Sequence, residues 1–344
     1  MNRRVRRWVT IGSLPAGLLL VELGIRVAGL RPAPFPQQVG SVTRRVPKRP
    51  ELVYENKPGG RAVIEYRDAV GAEPRRVVMR TNKQAMRGPV LPAKSDTLRI
   101  ACVGDSHTFG YGVADGETWP AHLRDLWRDS GEAVEVINAG VNAYNTLQEV
   151  IWYERRVAAL KPDVVVLQYF MNDTVVRGAG GGDSHQDLLV EWSHPRRGGG
   201  IGWLRRRWQT LDLVLDGIFR RRSLRHYADV RTVLHSPDSP GWQEVRAALR
   251  RLRDRCRRDG IAFYVALYPY LVEEGDGLRS DKAFTTVAAF CESEGIECLD
   301  TTAALIAAGG ASLRISAQDY HGNGEAHRAF AKAVFDWFRP LLGR

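Results

Sequence analysis

Five short apolar runs punctuate the chain from Leu98 onward: Leu98 to Val103, Val134 to Asn138, Val164 to Gln168, Ile261 to Leu267 and Ile296 to Leu299. Each is too short for a buried helix and is followed by a loop, so each predicts a strand. Between and after them, apolar residues recur at helical spacing over Thr118 to Arg128, Thr146 to Leu160, Trp242 to Arg258, Ser280 to Glu294 and Gly324 to Phe338. Strands alternating with helices build a mostly parallel sheet covered on both faces, with the site formed by loops at the strands' carboxyl ends. The expected fold class is therefore α/β, a three-layer flavodoxin-like domain over residues 97–344.

The flanking patterns differ. Arg3, Arg4, Arg6 and Arg7 precede an apolar stretch from Trp8 to Leu30, an arrangement that predicts an N-terminal transmembrane helix or signal anchor over residues 1–30. Glu22 and Arg26 interrupt the stretch at i, i+4 spacing, where one helix can pair them. A cleaved signal peptide with a site near Ala28 or Gly29 is the alternative. Either reading exports the remainder, making the domain extracytoplasmic or periplasmic. The Pro/Arg-rich run in residues 31–50 predicts an extended linker. Alternating segments at Arg61 to Tyr66 and Arg76 to Thr81 predict a small accessory β hairpin within residues 51–96. An insertion at about 174–240 breaks the α/β rhythm. Its Gly-rich first part reads as a loop, and Trp203 to Tyr227 reads as a basic amphipathic helical cap, with a membrane surface or an anionic polymer as alternative contacts.

A net charge of +11 raises nucleic-acid binding as a possibility, but much of the excess lies in the first fifty residues and in a block from Arg196 to Arg225. No nucleic-acid partner is therefore expected. Cys102, Cys256, Cys291 and Cys298 lack the paired spacing of a zinc site, and the histidines show no ligand-like spacing, so neither metal nor cofactor is implied. The four are expected to be core residues or free thiols; in an exported domain a disulfide is the alternative, with Cys291 and Cys298 the pair that a helix end and the following strand bring together.

Ester cleavage by a serine requires an exposed hydroxyl, a base, a group that orients the base, and donors for the oxyanion. The first strand runs into Gly104-Asp105-Ser106, which puts Ser106 at a strand end behind a glycine that permits a tight turn. Alone, this tripeptide describes many ordinary turns. Three further segments sit at the ends of later elements: Asn138-Ala-Gly-Val-Asn-Ala-Tyr-Asn-Thr146, Phe170-Met171-Asn172-Asp173, and Asp319-Tyr320-His321 before the last helix.

With these four blocks in order, the chain resembles the SGNH (GDSL-type) hydrolase superfamily from about Leu98 to its C-terminus, insertion excepted. The resemblance implies Ser106 as nucleophile and His321 as base. It further implies Asp319 orienting His321, and an oxyanion hole of the Ser106 N–H, the Ala143 N–H and the Asn172 amide. Losing one such donor costs about 2.7–4 kcal/mol of transition-state stabilisation. Three positions depart from the family pattern. Ala143 stands where the family has glycine, Phe170 stands at another glycine, and Gln318 occupies the usual place of the aspartate, three residues before the histidine. The Asp-x-His spacing is similar to alginate-acetyltransferase-like branches, and Arg80 to Gly88 is similar to the lead-in of membrane-anchored bacterial members. Both Asp319 and His321 are expected in a loop.

These readings predict a serine esterase acting through an acyl-enzyme on an acyl ester or acylated glycan. An O-acyltransferase or deacetylase of a cell-envelope polysaccharide is a second reading, and a non-catalytic glycan-binding module is a third.

Overall fold

The computed structural model describes residues 3–30, 37–47, 51–66, 74–175, 203–205, 207–215, 217–218, 234–274, 277–278, 281–316 and 319–343. Gln318, residues 31–36 of the expected linker and the Gly-rich part of the insertion lie outside these. The chain divides into two compact units: Met1–Phe35, Arg67–Pro74 and Asp183–Tyr227 form one, and Pro36–Tyr66, Arg75–Gly182 and Ala228–Arg344 form the other.

In the first unit, helix α1 (Arg3–Val27) carries Pro15 in its interior. Glu22 and Arg26 pair at 2.7 Å. Glu22 also accepts hydrogen bonds from the backbone N–H groups of Gln209 and Thr210, both at 2.9 Å, and from the Thr210 hydroxyl at 2.7 Å. The expected transmembrane helix is not found: no helix of the described residues is long and apolar enough to cross a membrane. The arginines of the first two turns and the Glu22–Arg26 pair dilute the apolar stretch, and each charge at a bilayer centre costs about 2.5–3.5 kcal/mol on an insertion scale.

The second unit begins with three antiparallel strands, β1 (Gln37–Arg45), β2 (Tyr54–Tyr66) and β3 (Arg75–Arg80), in that order. The expected linker is thus partly a strand, paired from Gln37↔Glu65 to Arg45↔Tyr54, and the expected hairpin is a three-stranded sheet. Its inner face buries Val42, Ala62, Ile64, Tyr66, Val77 and Met79 against Phe109, Val113 and Ile315. Two of these partners flank the chemistry described below.

The main sheet contains β4 (Leu98–Val103), β5 (Val134–Asn138), β6 (Val164–Tyr169), β7 (Ala262–Leu267) and β8 (Glu297–Asp300), all parallel, in the spatial order β8-β7-β6-β4-β5. Renumbered within the sheet this is 2-1-3-4-5, the flavodoxin-like order, and its direction reverses between β4 and β6. Side chains alternate across the strands. Ala101, Val103, Val165, Leu167, Val265 and Leu267 pack on one face against α4 (Thr146–Trp152), α5 (Pro240–Asp259) and α6 (Asp281–Ser293). The opposite face is covered by α3 (Trp119–Asp129) and α8 (Gly324–Leu341), where Trp119 meets Phe330 and Tyr264 meets Trp337. A short helix α7 (Thr302–Ala308) and a two-stranded pair, β9 (Arg314–Ser316) with β10 (Asp319–Gly322), precede α8. All four cysteines are free thiols. Cys291 and Cys298 do lie within hydrogen-bond reach of each other.

Candidate active site

The crevice between the carboxyl ends of β4 and β6 is where this strand order opens a site. β4 ends at Val103, and the chain turns through Gly104 and Asp105 into a single helical turn, α2 (Ser106–Phe109). Gly104 is required by close approach, since a Cβ there would lie 2.2 Å from Thr108 Oγ1 and 2.7 Å from Gln168 Oε1. Asp105 caps the turn by accepting the His107 N–H at 2.8 Å, and Gly110 closes it at φ 80°. Arg87, fully buried, holds the far end through the carbonyls of Phe109 (2.8 Å), Gly110 and Val113 (2.5 Å) and through Asp115 (3.1 Å).

Ser106 Oγ lies 2.7 Å from His321 Nε2, and His321 Nδ1 lies 2.5 Å from Asp319 Oδ1. The same carboxylate oxygen accepts the His321 backbone N–H at 3.1 Å. Contrary to the loop expected from sequence, both residues lie on β10. On a strand, residues i and i+2 share a face, so an Asp-x-His spacing directs both side chains to the same side. Burial alone would lower the His321 pKa, but the Asp319 charge and hydrogen bond outweigh it, aided by Asp105, and the imidazole sits above the ordinary histidine value. Asp319 is shifted the other way. Burial opposes its ionisation, yet the His321 charge, the two hydrogen bonds from His321 and one from Tyr66 hold it below the usual aspartate range.

Ala143 has φ 59°, in the left-handed region. The Tyr144 N–H bonds the Val141 carbonyl at 3.2 Å, which makes Ala143 the third residue of a turn with the type II pattern, where positive φ favours glycine. The loop is clamped: Tyr54 donates to the Asn142 carbonyl at 2.7 Å, Asn56 donates to the Gly140 carbonyl at 2.9 Å, and Val141 N–H bonds the Gly104 carbonyl at 3.0 Å. Gly140 backs directly onto α2, with space for no Cβ, which would lie 2.1 Å from the Phe109 nitrogen. Asn145 and Gln148 form a reciprocal capping box that starts α4.

Asn172 is half-buried, and its buried Oδ1 has no hydrogen-bond partner among the described residues. The orphaned atom is an acceptor, which a donor hydroxyl or N–H of a bound molecule can satisfy, and it does not itself bear on the amide N–H. Its neighbour Asp173 anchors the turn instead, accepting from the Phe170 N–H at 3.2 Å and the Thr146 hydroxyl at 3.1 Å. Phe170, at the family's glycine position, packs its ring 4.1 Å from that of His107.

His107, read from sequence as lining the site or capping the helix beside Ser106, does line it, whereas Tyr111, Tyr66 and Glu149 carried no sequence assignment. His107 lies 4.9 Å from His321 ring to ring and bonds Asp105 through Nδ1 at 3.1 Å, and burial lowers its pKa. Tyr111 faces His321 at 5.0 Å. Tyr66, at the end of β2, donates to Asp319 Oδ2 at 3.1 Å. Nothing in the local sequence around Tyr66 signals this contact. Behind the site, Glu149 is wholly buried, and burial together with the charges of Asp173 and Asp105 raises its pKa well above the carboxylate range. Among the described residues no group of three or more His, Cys, Asp or Glu side chains is arranged to hold a metal ion.

The chain is similar to several known proteins. Residues 102–329 match the model of the GDSL-like Lipase/Acylhydrolase family. An acetylxylan esterase of Xylanibacter ruminicola is 35% identical over 95 residues, covering 24% of this chain and 19% of that protein, so the chain aligns with only about a fifth of the relative's length. Solved structures with a similar fold include the psychrotrophic esterase EstA from Pseudoalteromonas sp., at 13% identity and TM-score 0.43, covering 72% of this chain and 99% of that one. A lipolytic G-D-S-L family protein from Veillonella parvula matches at 16% identity and TM-score 0.41, covering 70% and 98%. The chain belongs to the GDSL-like Lipase/Acylhydrolase family, whose chemistry is ester-bond hydrolysis.

Proposed function

We propose that this protein hydrolyses carboxylic esters through an acyl-enzyme on Ser106. The observation that carries the reading is the continuous contact from Ser106 Oγ through His321 to Asp319, at 2.7 and 2.5 Å. His321 Nε2 takes the hydroxyl proton as Ser106 Oγ attacks the ester carbonyl, and Asp319 stabilises the imidazolium so formed. The carbonyl oxygen gains its charge against the N–H groups of Ser106 and Ala143 and the Asn172 amide. Collapse expels the alcohol, which takes the proton from His321. Water, deprotonated by the same nitrogen, then releases the acid and restores Ser106.

Because His321 must be neutral to act and its pKa is raised, activity is expected to rise with pH through a midpoint above that of an ordinary histidine. Labelling by a fluorophosphonate probe tests the nucleophile. Wild type should label and cleave a short-chain ester, and Ser106→Ala should lose the label and about 10⁴-fold or more in kcat. A wild type that neither labels nor cleaves would remove the hydrolase reading and leave a glycan-binding module.

The substrate class we infer is an acetylated or short-acyl glycan, on the acetylxylan esterase similarity. An acceptor sugar in place of water would turn the second half-reaction into transfer, the outcome that the Asp-x-His block would favour. Incubation with an acyl ester, with and without saccharides, separates free acid from transferred acyl group. An extracytoplasmic setting is part of the same proposal, supported by the basic cluster and apolar stretch of the N-terminus.

A further inference from the structure

We propose that Tyr66, outside the span matched by the family, is a positioning residue of the site: its hydroxyl fixes the Asp319 carboxylate so that the other oxygen meets His321. This inference rests on the hydrolase reading above. Asp319 presents two oxygens. Oδ1 receives His321 Nδ1 and the His321 N–H, while Oδ2 receives the Tyr66 hydroxyl at 3.1 Å. Without the second contact the carboxylate is held from one side only and can turn about its last bond. With it, both oxygens are committed.

The Tyr66 side chain is built to stay in place. It is 1% exposed, its ring lies beneath the Arg75 guanidinium at 5.1 Å, and Arg75 in turn donates to the Ile315 carbonyl at 3.3 Å, on the strand paired with β10. Gly112, at φ 81°, leaves the hydroxyl its space: a Cβ there would lie 2.1 Å from Tyr66 Oη and 2.5 Å from Ile315 Cδ1. Burial, with the adjacent Asp319 charge, pushes the phenol far above its usual pKa, so the group remains a donor across the working range. The charged and titratable groups facing the pair are Asp105, His107 and Tyr111 around His321, and Arg75 over Tyr66.

The decisive variant is Tyr66→Phe in the full chain, which removes one oxygen atom and keeps the ring packing. A carboxylate relieved of one donor is more basic and holds the imidazolium more strongly. The acid limb of kcat/KM is therefore expected to move upward by roughly half a pH unit, with kcat falling roughly tenfold and KM little changed. Ile64→Val, on the same strand, is the packing control and should lower the melting temperature without moving the limb. The low-field proton resonance of the His321–Asp319 hydrogen bond supplies a readout that does not need turnover, and it should shift in Tyr66→Phe but not in Ile64→Val. An unchanged acid limb with an unchanged resonance would overturn the proposal. Loss of ester cleavage in wild type itself would count against the hydrolase reading, and the resonance would still decide the role of Tyr66.

Discussion

Ala143, whose backbone N–H is proposed to face the oxyanion, holds a conformation that an L-residue enters at a cost of about 1–2 kcal/mol. Ala143→Gly should recover that cost less about 0.4–1 kcal/mol for the greater freedom of the unfolded chain, for a net gain of about 0.5–1 kcal/mol. Activity should be retained, because the N–H is unchanged. Chemical denaturation with a parallel rate measurement checks this, and a lower midpoint or a lost rate would contradict it. At this scale the contact of Ser106 with His321 was legible because each stands in a short block at an element's end. The strain at Ala143 was legible only as a departure from a glycine. Tyr66 was invisible, because its partner lies 253 residues further along the chain and no local pattern records a contact of that range.

Arg87 acts on an element rather than on an atom, tying the end of α2 to three carbonyls that no helix bond satisfies. Lysine offers a point charge in place of that planar fork. Arg87→Lys is expected to cost about 2–3 kcal/mol of stability and to loosen the turn that carries Ser106. Thermal unfolding would read the loss, and a melting temperature equal to wild type would refute it. The three central strands β4, β6 and β7 were legible because both faces are largely buried, leaving near-continuous apolar runs. The edge strands β5 and β8, by contrast, are only partly buried and carry Glu135, Glu297 and Asp300. β1 was not, since among its nine residues only Val42 is buried and no alternation results. β9 and β10 were too short, at three and four residues, to carry a period. The spacing of Asp319 and His321 became intelligible only once they proved to share a strand.

Across the whole molecule, the family match begins at residue 102, yet Tyr54, Asn56, Tyr66 and Arg87, all before it, reach the loops and strand that carry the site. The three-stranded sheet is therefore structural support for the site and not a separable appendage. A chain shortened to residues 97–344 is expected to lose both cooperative thermal unfolding and fluorophosphonate labelling. A shortened chain that kept both would show the support to be dispensable. The net positive charge, by contrast, gave no guide to the fold, because such charge bears on solubility and partners. The placement of β10 also has a meaning in time. Translation delivers Tyr66 first, Ser106 next, and Asp319 with His321 only after every strand of the main sheet has been made. On the proposed mechanism, a chain interrupted between Ser106 and β10 carries the nucleophile without its base, so such unfinished copies are expected to be chemically silent.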